Sequence, residues 1–306
     1  MLVNDSIFDI YADYLTSIAE KAPIVLIDCD LGKVFKSQRF QKKFPERYFN
    51  IGIAEQNAFS MAAGMAASGL IPIVQTFSVF VATRGCDQLR SSICYPNVGV
   101  ILIGAKAGIS DSYGGAIHQA IDDIGIISSI PNIHISCPSN SIELIEELSK
   151  AILNPKPYYI RIENNILVRY KGDPTFDDYK KVDLCVLSTG NMVNICREVV
   201  EELSDCGYKV HLESVTQLKP IDEKHIVEIL SNVSKILVIE LHNRLNGLGS
   251  LICQIAYKYA LNEYVSIKTM AIDDHFTESG AYDDLLRKYH LDPYSIKSTV
   301  ISLLKY

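Results

Sequence analysis

The sequence predicts an α/β protein with two doubly wound domains, a first with a mainly parallel sheet and a smaller second one. Short β-branched runs such as 71–76 alternate with longer stretches of helical periodicity, which is the pattern of parallel sheets covered by helices. The polar segment 169–182 interrupts this alternation, contains a glycine and a proline, and lacks periodicity. We therefore expect a first domain at 1–170, a linker at 171–183 and a second domain at 184–306.

The first domain is predicted from apolar runs that alternate with amphipathic stretches. Residues 6–21 place apolar side chains every three or four positions, which predicts a helix, and 24–27 is a short buried strand. Glu55 then precedes an unusually apolar helix at 56–67. Further strands are expected at 71–76, 98–104, 133–137 and 158–162, and further helices at 82–94, 118–129 and 141–153.

The second domain repeats the alternation of strand and helix at similar spacing, which again favours a parallel sheet. Its strands are expected at 184–188, 209–214, 236–241 and 266–272, and its helices at 192–206, 222–230 and 249–261, with helical segments from Ala281 and Pro293.

Composition excludes several classes of function. Of 306 residues, 48% are hydrophobic and 21% charged, and a net charge of −7 without a basic stripe argues against nucleic-acid binding. No apolar run reaches the roughly 18 residues that span a bilayer, and the acidic start is unlike a signal peptide. The eight cysteines are scattered and form no CxxC pair, which indicates reduced thiols and a cytoplasmic location. Because there is no paired-histidine motif either, we expect no metal site formed by this chain alone.

Glu55 is the first candidate functional residue, because it places a carboxylate at the turn before the apolar helix. Burying an unpaired carboxylate is costly, so such a group either caps the helix N-terminus or contacts a ligand. Both interpretations are open on this segment alone.

Asp30, Phe77, Phe80 and His118 are further candidates, each with a structural alternative. Asp30 follows a strand, where ligands bind in open α/β sheets, although an Asp near a glycine also forms turns. Phe77 and Phe80 can sandwich a flat ring or belong to the core. His118, expected at the start of a helix, can donate a hydrogen bond to a substrate oxygen or act as a cap.

Three motifs in the first domain, GIAEQNA, TFSVF and GGAIHQAIDD, resemble the pyrimidine-binding domain of transketolases in order and spacing. STGN, ELHNRLNGLGS and DDHFTESGAYDDLL resemble the C-terminal domain of the same family, so the resemblance covers nearly the whole chain. It implies thiamine diphosphate as cofactor, with Glu55 bonded to the aminopyrimidine ring and Phe77 and Phe80 stacked on it. It also implies that Asp30 lies near the cofactor and that His118 faces the substrate. The GLGS loop and His242 beside it are expected to be structural.

The Gly-Asp-Gly motif with which this family binds Mg²⁺ and the diphosphate is missing. Gly172-Asp173 is followed by Pro174 in the linker, and there is no Walker-type loop. The resemblance therefore implies a separate N-terminal subunit that holds the diphosphate and Mg²⁺, in a heterotetramer with two copies of each chain.

Three departures from the family bear on the substrate. Gly114 stands where an acid is typical, Lys106 replaces a histidine that contacts sugar phosphate, and Glu163 stands where an arginine is expected. A glutamate repels an anion, so the hypothesis is a nucleotide-linked or otherwise modified sugar, with Lys106 and His118 as substrate-binding residues.

Three interpretations of function follow. The first is a subunit that transfers a two-carbon ketol unit from a ketose donor to an aldehyde acceptor. The second is a deoxyxylulose-phosphate-synthase-like or 2-oxo-acid decarboxylating component. The third is a non-catalytic regulatory subunit that keeps the fold.

Overall fold

The computed structural model describes residues 6–164, 166 and 179–305. Among these residues, seven strands form one sheet in the order β2-β1-β3-β4-β6-β5-β9. All neighbouring pairs in it are parallel except β5 with β9, which is antiparallel. The strands are β1 Ile24–Asp28, β2 Tyr48–Asn50, β3 Ile71–Phe77, β4 Ile101–Ala105, β5 His134–Ser136, β6 Tyr158–Arg161 and β9 Gln217–Lys219.

Helices cover both faces of this sheet. Alternate residues of its central strands point to opposite sides, so each strand contributes side chains to the core on both faces. Val25 and Ile27 belong to the core cluster that includes the helix Glu55–Ala67, whereas Ile24 and Leu26 belong to the cluster that includes the helices Ile7–Ile18 and Ser141–Leu153. The helices of this part are α1 Ile7–Ile18, α2 Gln38–Lys43, α3 Glu55–Ala67, α4 Ser78–Ala82, α5 Cys86–Gln88 with a π-helical continuation at Leu89–Cys94, α6 Asp123–Ser128 and α7 Ser141–Leu153.

The second sheet has four parallel strands in the order β11-β10-β7-β8. Its strands are β7 Leu184–Ser188, β8 Val210–Ser214, β10 Lys235–Asn243 and β11 Ser266–Ile272. Its helices are α8 Met192–Asp205, α9 Glu223–Asn232, α10 Leu248–Lys258, α11 Tyr282–Lys288 and α12 Pro293–Lys305. Because helices pack on both faces of each sheet, the predicted class of two doubly wound α/β units is confirmed.

The two sheets are joined by β9, which follows β8 in the chain but pairs with β5 of the first sheet. Lys219 strengthens this junction, since its ammonium group donates to the backbone oxygens of Ser128 and Ile130 at 2.7 and 2.5 Å. The predicted linker at 171–183 lies largely outside the described residues, so the domain boundaries stay predictions.

Some predicted elements differ from the structure. A helix was expected at 118–129, but α6 begins at Asp123, and His118 lies in a series of turns. The helix expected at 82–94 is broken near Thr83 and continues only from Cys86. Several short elements were not anticipated, among them α2, β2 and β9, which lack a clear apolar period.

None of the described helices combines the length and the apolar composition that crossing a membrane requires.

Candidate active site

The candidate residues gather where the parallel strands of the first sheet end. Asp30 follows β1, Phe77 ends β3 and Lys106 follows β4, so all three stand at the carboxyl edge of the sheet. Asp30 and Lys106 have positive φ angles of 65° and 56°, a left-handed backbone that non-glycine residues seldom adopt. Backbone strain of this kind is concentrated at functional sites.

Glu55 is the first residue of α3 and is almost completely buried, with 1% of its surface exposed. Its Oε1 accepts a hydrogen bond from the Thr76 hydroxyl at 2.9 Å, and its Oε2 accepts one from Arg84 Nη1 at 2.9 Å. Thr76 belongs to β3, so the strand that ends in Phe77 also fixes the acid. The carboxylate is therefore held by side chains, while the residue preceding the helix, Ala54, supplies no side-chain cap.

Arg84 is a site residue that the sequence did not reveal. Its guanidinium carbon lies 3.7 Å from the centre of the Phe80 ring, and the same group bonds Glu55. Arg84 lies four residues after Phe80, in the turn that follows α4, and this spacing is the one sequence signal that could have identified it. A planar cation over an aromatic face adds a flat, partly exposed surface to the site.

Phe77, Phe80 and His118 form one aromatic group. The two phenyl rings are nearly parallel, with centroids 6.0 Å apart and 28° between their planes. His118 meets both rings edge-on, at centroid distances of 6.0 and 5.8 Å. Its Nδ1 lies 3.2 Å from the backbone oxygen of Gly114, so the loop rather than a helix orients the imidazole.

Lys106 is connected to the aromatic group and to an acid. Its ammonium nitrogen lies 4.9 Å from the centre of the Phe77 ring and donates to Asp111 Oδ1 at 2.8 Å. The structure thus brings Phe77, Phe80, Lys106 and His118 together through direct contacts, and Arg84 connects Glu55 to this group.

Asp30 has its side-chain contact on the neighbouring strand β2. Its Oδ1 accepts a hydrogen bond from the Asn50 side chain at 3.3 Å, and it is exposed at the strand next to β3. The neighbouring acid, Asp28, lies deeper and binds the backbone N–H of Leu31 at 2.6 Å. Burial raises the pKa of the Asp28 carboxyl above its usual range.

Arg161, at the end of β6, is neutralised inside the protein. It donates to Asp123 at 2.9 Å and to Glu163 at 3.0 Å, and all three side chains are at most 2% exposed. Burial raises the pKa of Glu163 to about 7. The expectation that Glu163 repels a substrate anion is wrong, because this side chain is enclosed against Arg161 and does not face a ligand.

The conformation of the GLGS loop is explained by its contacts with the Glu240 side chain and not by a bound ligand. The Glu240 carboxylate accepts the backbone N–H groups of Leu248 and Gly249 at 2.7 and 2.8 Å, and so caps α10. A β-carbon at Gly247 would collide with the same carboxylate. The glycine is therefore required by the close approach of an internal acid.

Among the described residues, no group of three or more His, Cys, Asp or Glu side chains is arranged to hold a metal ion.

The fold and the clustered side chains define a two-unit protein of the open α/β class, in which ligands bind at the carboxyl ends of parallel strands. Two family models match the chain: the transketolase pyrimidine-binding domain over residues 6–168 and the transketolase C-terminal domain over 178–296.

Similar proteins agree with these matches. A protein of Methanocaldococcus jannaschii named as a transketolase C-terminal section is 30% identical, over 96% of this chain and 95% of that one. A 6-deoxy-6-sulfo-D-fructose transketolase subunit of Clostridium sp. is 29% identical, over 92% and 89%. The solved structure of a split-gene transketolase, an inactive β4 tetramer, has a TM-score of 0.84 at 29% identity and covers 99% of both chains.

The chain belongs to the transketolase family and carries its pyrimidine-binding and C-terminal domains. It also resembles longer proteins. The 1-deoxy-D-xylulose-5-phosphate synthase of Shouchella clausii is 30% identical, and the chain spans 48% of that enzyme.

Proposed function

We propose that this chain is the pyrimidine-binding subunit of a two-subunit transketolase that uses thiamine diphosphate to transfer a two-carbon ketol unit to an aldehyde. The observation that carries the proposal is the environment of Glu55: an acid 1% exposed, bonded to Thr76 and Arg84, and linked through Arg84 to the aromatic ring of Phe80. An acid that only capped a helix would not require this connection to an aromatic group.

The residues fit the pyrimidine end of the cofactor. Thiamine diphosphate, when bound, supplies the carbon nucleophile and electron sink that ketol transfer needs. Glu55 would bind and orient a ring nitrogen, and hold a proton there. Phe77 and Phe80 offer aromatic faces to a flat heterocycle, while Asp30 is proposed only as a neighbour at the edge of the sheet.

His118 and Lys106 are proposed to face the substrate. The His118 ring can donate a hydrogen bond to a substrate oxygen at which charge develops, because it is held at the rim of the aromatic group by Gly114. Lys106 is already paired with Asp111, and Arg161 is enclosed by two carboxylates. These pairings support a substrate that is not an ordinary sugar phosphate.

A separate diphosphate-binding subunit is part of the proposal. The sequence has no Gly-Asp-Gly motif for Mg²⁺, and relatives that align over nearly their whole length are named as a section or a subunit of a transketolase. We propose a heterotetramer with two copies of each chain, in which the partner holds Mg²⁺ and the diphosphate.

A second candidate function is supported by several relatives named 1-deoxy-D-xylulose-5-phosphate synthase. Such an enzyme condenses pyruvate with an aldehyde and releases CO₂, whereas ketol transfer releases none. Release of ¹⁴CO₂ from [1-¹⁴C]pyruvate in the reconstituted complex therefore separates the two chemistries. A complex that decarboxylates pyruvate and transfers no ketol unit contradicts our proposal.

The direct test is calorimetric binding of thiamine diphosphate and Mg²⁺ to this chain alone and to its mixture with the diphosphate-binding subunit of the same genome. We expect binding in the mixture and ketol transfer from a ketose donor. Tight binding by this chain alone would contradict the division of the site between two subunits. Binding in neither sample would favour a non-catalytic subunit.

A further inference from the structure

A cavity of about 460 Å³ lies where the two halves of the chain meet. Its wall is built by α6 and β5 of the first sheet's layer, by β9 with the turn that follows it, and by the start of α10. None of the candidate active-site residues, all of which the structure describes, lines this cavity. Its volume is in the range of pockets that hold small organic ligands, so the cavity is a second candidate binding site.

The floor of the cavity is apolar. Ile124, Ile135, Leu218 and Leu248 line it, and each of these side chains is at most 4% exposed. Leu251, which is partly buried, extends the apolar wall along α10. A ligand with a hydrocarbon part would displace water from this surface, which favours binding in proportion to the apolar area covered.

Lys219 supplies a cation to the same cavity. Its ammonium group is partly exposed and donates to the backbone oxygens of Ser128 and Ile130 at 2.7 and 2.5 Å. An ammonium group has three donors, so one remains for a ligand. Burial lowers the pKa of Lys219, and no carboxylate of the described residues forms an ion pair with it. A cation partly withdrawn from water is therefore left without an acidic partner in this part of the protein.

The acid on the cavity wall does not serve as that partner. Glu223 is the only acid among the described residues that line the cavity, and its Oε2 accepts hydrogen bonds from Lys258 at 2.6 Å and Tyr259 at 2.9 Å. The other polar groups of the rim include the exposed side-chain amides of Asn246 and Gln254, which can donate to an anion. The charge of the cavity thus favours an anionic ligand over a cationic one.

We propose that this cavity binds a small organic carboxylate, with its apolar body on the floor and its carboxylate group hydrogen-bonded to Lys219. Such a ligand satisfies both parts of the cavity, because an inorganic anion would leave the apolar floor uncovered and a neutral hydrocarbon would leave the cation unpaired. Hydrogen bonds between two charged groups are about twice as strong as neutral ones. Since the ligand would contact α6, β9 and α10 together, its binding would stabilise the junction of the two halves.

The test compares two probes of the same shape on the full chain. 4-Phenylbutyrate carries the carboxylate, and 4-phenylbutanamide replaces it by a neutral amide. We expect calorimetry to show one saturable site for 4-phenylbutyrate, with an affinity about 10- to 100-fold higher than that for the amide. Inorganic phosphate, an anion without an apolar body, should not bind measurably at the same concentrations.

Two variants assign the binding to this cavity. Lys219→Met should lower the affinity for 4-phenylbutyrate by about 10- to 100-fold and change that for the amide within about threefold. Leu251→Trp should abolish the binding of both probes by filling the cavity, and it leaves both hydrogen bonds of Lys219 in place. The matched control is Lys297→Met, which removes a cation paired with Glu202 at 2.8 Å outside the cavity.

Equal affinities for the acid and the amide in the unmodified chain would overturn the inference, as would unchanged binding of 4-phenylbutyrate in Leu251→Trp. The titration is repeated on the mixture with the diphosphate-binding subunit. Loss of binding there would also overturn the inference, since the cavity would then be a contact between subunits. None of these measurements depends on ketol transfer, so the proposed function and this inference are tested separately.

Discussion

Arg84 donates from Nη1 to Glu55 Oε2 at 2.9 Å while its guanidinium lies 3.7 Å from the centre of the Phe80 ring. One side chain thus connects the buried acid to the aromatic group. The Glu55 side chain is 1% exposed and that of Arg84 39%, so the pair joins a buried acid to a partly exposed cation.

The Arg84→Met variant tests this connection, since methionine keeps much of the bulk and removes the planar charge. We expect the affinity for thiamine diphosphate and kcat/KM for ketol transfer to fall by about 10- to 100-fold, because a hydrogen bond to a charged group contributes about 1.5–3 kcal/mol. Calorimetry and steady-state kinetics measure the two effects. Arg287→Met, which breaks an exposed pair with Asp284, is the control, and equal behaviour of both variants would contradict the role of Arg84.

Substitution of Glu55 separates a catalytic subunit from a scaffold. We expect Glu55→Ala and Glu55→Gln to lower cofactor-dependent turnover by about 10²- to 10⁴-fold, the usual contribution of a positioned acid or base. Glu147→Gln serves as control because Glu147 is also buried and also paired with a partly exposed cation, Lys150. Unchanged turnover in Glu55→Ala, with cofactor bound, would mean that the chain does not catalyse.

Gln119→Leu tests the brace between the site loop and the second half of the chain. The Gln119 amide nitrogen donates to the backbone oxygens of Asp111, Ser112 and Glu278, and its side-chain oxygen accepts the hydroxyl of Thr277. Buried groups left unpaired cost about 1–3 kcal/mol each, so we expect lower stability and faster hydrogen exchange at 110–118. The exposed Gln41→Leu should change neither quantity. Unchanged exchange in Gln119→Leu would show that the loop keeps its position without this residue.

The pH dependence of stability should carry a contribution from Glu240. Burial raises the pKa of Glu240 to about 7, so between an unfolded value near 4.5 and pH 7 the folded state holds a proton that the unfolded state has released. This contribution to stability is complete below about pH 4.5 and is lost as the pH rises through 7.

The Glu240→Gln variant isolates that contribution from the opposite one of His242, whose pKa burial lowers to about 4. Between pH 5 and pH 8, the free energy of unfolding measured in urea should fall by up to about 3 kcal/mol more for the wild type than for the variant. For the exposed control Glu46→Gln, the difference in unfolding free energy from the wild type should not change with pH. If the difference for Glu240→Gln were also independent of pH, the raised pKa of Glu240 would be contradicted.

The fold could be predicted, and the candidate site residues proposed, because their sequence signals are local. The apolar runs around Ile24 and Ile71 and the turn at Glu55 depend on a few neighbouring residues, and the strands that they predict are present. The position of His118 could not be predicted in this way. Its loop is shaped by Gln119 and Gly280, and the second of these lies far along the chain.

Arg84 was missed for a related reason. It is an ordinary charged residue in the sequence, and its role depends on Glu55, which lies 29 residues earlier at the start of α3. Glu163 was misjudged because its partner, Arg161, is turned inward. The pairing of charged side chains in the folded protein cannot be read from their positions in the sequence.

Gln217–Lys219 has a consequence for how such a chain can be recombined. This strand comes from the second half of the sequence, but it adds to the edge of the first sheet at Ile135 and Ser136. A chimera that exchanged the second half for that of a relative would have to match this edge, or leave β5 with unpaired backbone groups. We therefore expect the two halves of the chain to be inherited together and not to be exchanged separately between proteins.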